Sequence, residues 1–441
     1  MRGRGFGDRV PKILIHYRYN MKGNNMNIPF LDLKRQYKNL QTRLEEAVIK
    51  VLRSCSYIEG FFVEEFETNM RQYLNVKHVI PCANGTDALV IALRACGVGY
   101  GDEVITTPFT FFATAEAIAA IGAVPVFVDV NESDFNMSPA GIEAKITAKT
   151  KAVLPVHIFG CPCEMDEINA IAAKHKLHVV EDAAQAIGSE YQNNKIGASN
   201  NLVTFSFYPT KNLGAFGDGG MLTTNDDNLA LIARSLTRHG MGEQGAKARE
   251  LLSLSLSLPL DIYESPVKNR VKTESISKNH KNQLQQIDLY DPHKYFNYLI
   301  AYNSRLDAIQ AAILNVKLKF LDEFNQKRAK IAALYEAGLK DAVEFQSLPT
   351  NGKTCFHQYV IRTKKKEALI KFLGEKSIGS GNFYPVSLHL QKAFDYLNYK
   401  EGDLPISEKL TSQTVCLPIF PELTEAEAET VIQTVRAFEK L

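Results

Sequence analysis

Two hydrophobic periods alternate along most of this chain. In LQTRLEEAVIKVLRS (Leu40–Ser54) apolar residues recur every three or four positions, which predicts an amphipathic helix. KHVIPCA, at 77–83, is a short and almost wholly apolar run suited to a buried strand. NGTDALVIALRACG, at 84–97, returns to helical spacing, with Asn84 or Thr86 near its cap and Gly97 at its end. DEVITTP, ATAEAIAAIG and VPVFVDV follow as strand, helix and strand, and TKAVLPVHIFG and HKLHVVEDAAQ repeat the theme around the helix EMDEINAIAAKH. Short Val/Ile-rich strands separated by helices predict an α/β, three-layer large domain with a mostly parallel central sheet. Ligands of such sheets sit where the strands run out at their carboxyl ends.

After Ala311 the pattern turns helical in LNVKLKFLDEFNQKRAKIAALYEAGL. CFHQYVIRT then reads as a strand of a smaller C-terminal α+β domain, and LTEAEAETVIQTVRAFEKL as a closing helix with a capping start. The expected organisation is a basic extension over 1–25, a large domain over 26–315 and a small domain over 316–441. A second domain leaning on the first makes a cleft. The segment 241–291 departs from the pattern. LLSLSLSLPL alternates Leu and Ser at the strand period and suggests a β-hairpin arm, while SPVKNRVKTESISKNHKNQLQQ holds too few apolar residues to anchor itself.

Composition narrows the classes. At 441 residues the chain exceeds one small core, and a net charge of +2 offers no global field for nucleic acid or an anionic membrane. No apolar run approaches the ~20 residues that span a bilayer. The seven cysteines are odd in number and scattered, which fits reduced thiols in a cytosolic protein better than a disulfide framework. Cys161 and Cys163 are too close for a usual zinc pair, and nothing nearby completes a metal site. Residues 1–25 carry six Lys/Arg against one Asp and lack the apolar core of a secretory signal.

Chemistry gathers at four strand ends. Asn84-Gly85-Thr86-Asp87 opens a helix whose free N–H groups suit a phosphate, although the same residues also serve as a plain cap. TTPFTFFATA sets Phe109, Phe111 and Phe112 just past a strand, where aromatics usually join the core but one can stack on a planar ring. HVVEDAAQAIG ends a buried strand with Glu181-Asp182, followed by Gln185. A carboxylate there must be paired, open to a cleft, or acting as a helix cap. Finally, VTFSFYPTKNLGAFGDGGM isolates Lys211 among aromatics, Ser206, Thr210 and glycines, with no other charge before Asp218. Such surroundings lower an amine's pKa and make it a nucleophile. A lysine for an aldehyde, a carboxylate for a ring nitrogen, a stacking group and a phosphate cradle are the parts that pyridoxal 5′-phosphate (PLP) needs. No G-x-G-x-x-G lies in the βαβ region and no G-x-x-x-x-G-K-[ST] occurs.

The chain resembles the DegT/DnrJ/EryC1/StrS sugar aminotransferases, of the aspartate-aminotransferase fold (fold type I). The resemblance runs from about Ile28 to the C-terminus. It rests on IPFLDLKRQY, NGTDAL, PFTFFATAEAI, PVHIFG, VVEDAAQAIGSEY, FSFYPTKNLGAFGDGGM, YNSRLDAIQAAIL and FYPVSLHLQKAF. It implies Lys211 as the Schiff-base lysine, Asp182 as partner of the pyridinium nitrogen, and Gln185 near the 3′-oxygen. Phe111 would stack on the ring, and Gly85, Thr86 and Ser206 would hold the phosphate. Asn303 resembles the asparagine that reaches the phosphate of the other subunit, which implies a homodimer with a shared site. Arg305 is a candidate substrate contact, and His389 either lines the sugar pocket or is a satisfied structural histidine. The implied reaction moves an amino group from L-glutamate to a nucleotide-linked keto-sugar, leaning to UDP- or dTDP-linked 3-keto sugars over 4-keto ones. Related dehydratases carry histidine in place of the lysine, so Lys211 argues against dehydration. A regulatory protein that kept only the fold is the remaining alternative. Relatives usually pass quickly from the His239-Gly240 position to the N-S-R-L motif, so 241–291 reads as a surface insertion, or else as a lid or dimer arm over the nucleotide.

Overall fold

The computed structural model describes residues 27–256 and 296–440. Helix α1 (Leu33–Ser54) begins earlier than the periodic stretch because the Asp32 side chain accepts the N–H groups of Lys34 and Arg35 as an N-cap. It leads through α2 (Phe61–Leu74) into the large domain. Strands β1 (His78–Cys82), β2 (Glu103–Thr106), β3 (Val124–Phe127), β4 (Thr150–Leu154) and β5 (His178–Asp182) alternate with α3 (Gly85–Ala95), α4 (Ala113–Ala120) and α5 (Met165–His175). Two short strands, β6 (Glu190–Tyr191) and β7 (Asn194–Lys195), make a hairpin before β8 (Leu202–Ser206) and β9 (Gly220–Thr224).

Seven of these strands form one sheet in the order β1-β9-β8-β5-β4-β2-β3. β9 alone runs against its neighbours, and every other pairing is parallel. Ile80, Val104, Leu154, Val180 and Leu222 face a core shared with α3, while Val79, Val203, Phe205 and Met221 face one shared with α2 and the later α8. Burial on both faces is why these strands read as continuous apolar runs rather than alternating ones.

After β9 come α6 (Asp227–Thr237) and α7 (Gly242–Leu256). The expected hairpin arm is therefore corrected: 251–256, the Leu-Ser repeat's first residues, are helical. Ala248 is fully buried and Leu251 and Leu252 pack on the same core. That spacing of three and four is helical, and docking on α6 overrides the local two-residue period. The rest of 241–291, to 295, and the 1–25 extension lie outside the described residues. The chain re-enters beside the start of α7, with Gly242 N–H on Phe296 O and Met241 bridged to Asn297.

Helix α8 (Ala308–Leu318) completes the large-domain core, and α9 (Leu321–Leu339) crosses to the small domain. There β10 (Glu344–Phe345), β12 (Tyr359–Arg362) and β13 (Thr414–Leu417) form an antiparallel sheet, and β11 (Gly352–Lys353) joins the β6–β7 hairpin. α10 (Lys366–Glu375), α11 (Pro405–Gln413) and α12 (Glu425–Glu439) complete it, the last opened by a Thr424–Glu427 capping box. Ile28 is fully buried in this second core and pairs with Ile378, so residue 28 packs with the small domain before α1 leads away. No helix among the described residues is long and apolar enough to cross a membrane.

Candidate active site

Sheet register brings the four strand ends to one pole. Asp182 pairs with Thr204, Ser206 with Gly220, and Gly220 with Cys82, so the ends of β5, β8 and β1 meet the start of β9. α3 starts at the same point, with the Asn84 side chain accepting the Asp87 N–H at 2.8 Å. The backbone there is packed too tightly for side chains. A Cβ on Gly85 would lie 2.7 Å from Ser206 Cβ, and one on Gly220 would lie 2.4 Å from the Asn84 carbonyl. Gly85 and Thr86, at the N-terminus of α3, thus lie against Ser206, a cradle whose free N–H groups suit an anion.

Lys211 sits on the β8–β9 loop. Phe207 N–H donates to Gly219 O at 2.7 Å and Ala215 N–H to Phe207 O at 2.8 Å, closing the loop at its neck. Lys211 N–H donates to Tyr208 O, fixing a turn that sends the side chain inward. Burial pushes the amine down to about 8, against the opposing charge of the Asp182 carboxylate. None of these influences is a hydrogen bond to the amine.

The two adjacent carboxylates of β5 have opposite fates. Glu181 accepts from His157 Nε2 at 3.0 Å, from Asn201 Nδ2 at 2.8 Å and from Ser199 Oγ at 3.0 Å. Burial alone would raise it, but these bonds hold it below its ordinary range. His157 Nδ1 accepts the Cys163 N–H, which leaves Nε2 to carry the proton. Asp182 is raised by burial, although Ala184 N–H (3.1 Å), Thr114 Oγ1 (2.8 Å) and the Lys211 charge pull the other way. Among the described residues it has no arginine or hydrogen-bonded cation, so a protonated ring nitrogen would suit it as a partner.

Between these groups Gln185 is fixed at both ends: its Oε1 accepts Phe159 N–H at 2.6 Å and its Nε2 donates to Tyr384 OH at 2.7 Å. Tyr384, from the small domain, stacks on Phe159 at 6.3 Å and 10° and lies 6.3 Å from the Phe111 ring. Of the three expected phenylalanines, Phe109 is fully buried and Phe112 packs on Phe394, while Phe111 is 60% exposed. Only Phe111 of these three has a ring face open to a ligand.

The remaining sequence candidates divide. Asn303 is exposed and bridged to Arg238, with part-exposed Arg305 nearby. The residue between them, Ser304, is buried and ties the motif to the cradle: its Oγ donates to Asp87 Oδ2 at 2.6 Å and accepts the Ala83 N–H at 3.1 Å. His389 is buried, with Nδ1 at 2.8 Å from Ser387 Oγ and Nε2 at 3.0 Å from Glu408 Oε1, between the Phe127 and Tyr399 rings. Of the two readings offered for it, this packing matches the structural one. Thr114, Tyr384 and Ser304 escaped the sequence reading. All three lie inside motifs quoted for the resemblance, but no local pattern marked the residue itself.

The model of the DegT/DnrJ/EryC1/StrS aminotransferase family matches residues 38–259 and 271–436. The chain belongs to this family. The match is broken only over 260–270, so most of the segment 241–291 falls within the matched ranges. Among similar proteins, the "Pleiotropic regulatory protein" of Geobacillus stearothermophilus is 43% identical over 94% of this chain and 99% of its own. The dTDP-3-amino-3,6-dideoxy-alpha-D-galactopyranose transaminase of Aneurinibacillus thermoaerophilus is 38% identical over 93% and 99%. The UDP-N-acetyl-3-dehydro-alpha-D-glucosamine 3-aminotransferase of Acidithiobacillus ferrooxidans is 35% identical over 93% and 98%. Solved structures include S. venezuelae DesV in complex with a ketimine intermediate (TM-score 0.81, 34% identity, covering 94% of this chain and 99% of that one). NtdA of Bacillus subtilis, with bound PMP, gives a TM-score of 0.76 at 28% identity, covering 96% and 87%. This family member is thus a PLP-dependent aminotransferase of fold type I, and the cradle, the buried amine and the unpaired carboxylate fit that cofactor.

Proposed function

We propose that the protein moves an amino group from L-glutamate to a nucleotide-linked keto-sugar, with C3 of a UDP- or dTDP-linked 3-keto sugar as the favoured acceptor. Relatives named for 3-amino sugars on both nucleotides support the acceptor class. The observation that carries a catalytic over a regulatory reading is the convergence of Lys211, Asp182 and the Gly85–Ser206 cradle on one pole. A protein that kept only the fold has no use for a buried amine beside an under-paired carboxylate.

Each residue has a definable task. Gly85, Thr86 and Ser206 would anchor the phosphate, and Phe111 would cover one face of the ring. When bound, PLP supplies an electron sink for the charge left as the substrate Cα–H bond breaks. Asp182 would keep a proton on the ring nitrogen, and Gln185, pinned by Tyr384, would orient the ring edge. Lys211, about half neutral at pH 8, would hold the cofactor and, once free, would move a proton between the substrate Cα and the cofactor carbon. Asn303 is exposed where a second copy can meet it, the arrangement of a homodimer with shared sites.

The test is a visible absorption spectrum of the PLP-loaded protein before and after L-glutamate, followed by UDP- and dTDP-linked 3-keto and 4-keto sugars with mass analysis of the products. Loss of the visible band on adding glutamate, and its return with a 3-keto sugar, is the expected result. Failure to bind PLP would return the regulatory reading to the front.

A further inference from the structure

Both catalytic segments are stitched to one short loop of the small domain. On one side, the Cys355 thiol donates to Gln185 O at 3.2 Å, and Cys355 N–H to Ser189 Oγ at 3.0 Å. Ser189 in turn donates to Gly160 O at 2.7 Å. These bonds hold the stretch that follows Asp182. On the other side, Asn212, next to Lys211, donates from Nδ2 to Cys355 O and to Asn325 Oδ1, both at 2.9 Å. Asn212 Oδ1 lies 3.1 Å from His357 Nδ1. An amide oxygen only accepts, so Nδ1 carries the imidazole proton and donates it. Asn325 Nδ2 closes the circuit on Ile187 O at 3.1 Å.

The backbone between the two stitching residues is strained. Phe356 has φ +48°, a left-handed conformation unfavourable for an aromatic residue, and it sends Cys355 and His357 both into the interior. The approach is close on the far side too: a Cβ on Gly160 would lie 2.8 Å from Cys355 Sγ. Strain survives where neighbouring contacts over-determine it: Thr354 and Arg328 hold Phe356 itself, and the bonds of Cys355 and His357 lead to the Asp182–Ser189 and Lys211–Asn212 segments.

We propose that the loop Thr354–His357 is a strut that sets the spacing of the two catalytic segments, and that His357 is a positioning residue acting on Lys211 through Asn212. The groups facing the lysine are Asp182 on β5 and Cys355 and His357 on the loop, with Arg328 of α9 behind His357. His357 is itself held well below the ordinary range by burial and by the Lys211 and Arg328 charges, so it stays neutral and adds no competing cation. Losing the Nδ1–H donor frees the Asn212 side chain and slackens the turn that carries Lys211. The lysine then regains solvation, and its basicity climbs back towards the ordinary value.

The experiment uses the full-length protein without cofactor, so the sugar plays no part in it. Lys211 modification by trinitrobenzenesulfonate is followed against pH by mass analysis of its peptide. The wild type titrates near pH 8. His357→Ala moves that midpoint up by about one pH unit, while His357→Asn, which keeps an N–H donor near the place of Nδ1, stays within a few tenths of wild type. If His357→Ala does not fold, Asn212→Ala cuts the same link from the other side and carries the same expectation. A folded His357→Ala or Asn212→Ala with the wild-type midpoint overturns the proposal. So does an Asn variant that shifts as far as the Ala one, because the ring's bulk alone would then explain the effect. A wild-type midpoint at the ordinary lysine value is a separate outcome that removes the Lys211 reading and the strut with it.

Discussion

Two lysines at the β8–β9 loop, Lys211 half-buried and Lys317 buried, separate burial from chemistry. Lys211 and Lys317 are both pushed down to about 8 by desolvation. Lys317, on α8, is 2% exposed, donates to the Gly214 carbonyl at 2.7 Å and lies 4.7 Å from the centre of the Phe216 ring. Its needs are met by a carbonyl and an aromatic face, and it serves as a peg beneath the loop. Lys211 has a raised carboxyl opposite and an opening to the cleft. A depressed pKa therefore does not identify a nucleophile. An amine that is neutralised and also left without a hydrogen-bond partner does.

The largest expected effect breaks the symmetry outright. Lys211→Ala abolishes transamination while leaving the fold and its thermal midpoint near wild type, whereas Lys317→Met retains measurable turnover. The Met variant leaves the Gly214 carbonyl without its donor at a cost of about 1–3 kcal/mol, which lowers the melting temperature by several degrees. Substantial turnover by Lys211→Ala would dissolve the distinction.

Asp182→Asn comes next. It weakens PLP binding by about a hundredfold or more, because the ring nitrogen loses its ionic partner. The cofactor-free protein responds the other way. A carboxyl raised in the folded state makes folding less favourable as pH climbs through and above its unfolded value, so at neutral pH the Asn variant melts no lower than wild type, and up to a few degrees higher. Parallel melts with and without PLP read both halves of this prediction.

The comparison sharpens in alkali. A lysine whose folded pKa lies below its unfolded one weakens the folded state fully below about pH 8, and that penalty fades as pH rises to the ordinary 10.5. The cofactor-free protein should gain stability across that window, less so in either lysine variant. Chemical labelling should nonetheless mark Lys211 and spare Lys317, since only the first is reachable. Equal labelling would put both amines in one class. The smallest effect is at Phe111→Ala, where loss of stacking costs about 1 kcal/mol and weakens PLP roughly fivefold to tenfold without abolishing turnover.

Much of this was legible in the chain. The alternating strands and helices, the strand-end motifs and the family resemblance located Lys211, Asp182 and the cradle, because each sits where a local pattern stops. What escaped reading depends on contacts between distant segments. Tyr384 lies 199 residues from the Gln185 it pins, and His357 lies 145 from the Asn212 it holds; neither pairing shows in a local pattern. The Leu-Ser repeat misled for the same reason. Its local period favoured a strand, and only the packing of Ala248, Leu251 and Leu252 against α6 decided for a helix. His389 carried a polar identity that suited a pocket, yet Ser387 and Glu408 consume both nitrogens.

Ile28 pairs with Ile378, and the small-domain core that buries it also needs α9, β12, β13 and α12. In the order of synthesis, the first described residues therefore wait for the last. A ribosome releases the sheet and its lysine long before the segment that braces them, so a prematurely terminated chain exposes an unbraced pole and an unburied isoleucine. Bracing of the catalytic pole therefore depends on segments that the ribosome delivers late.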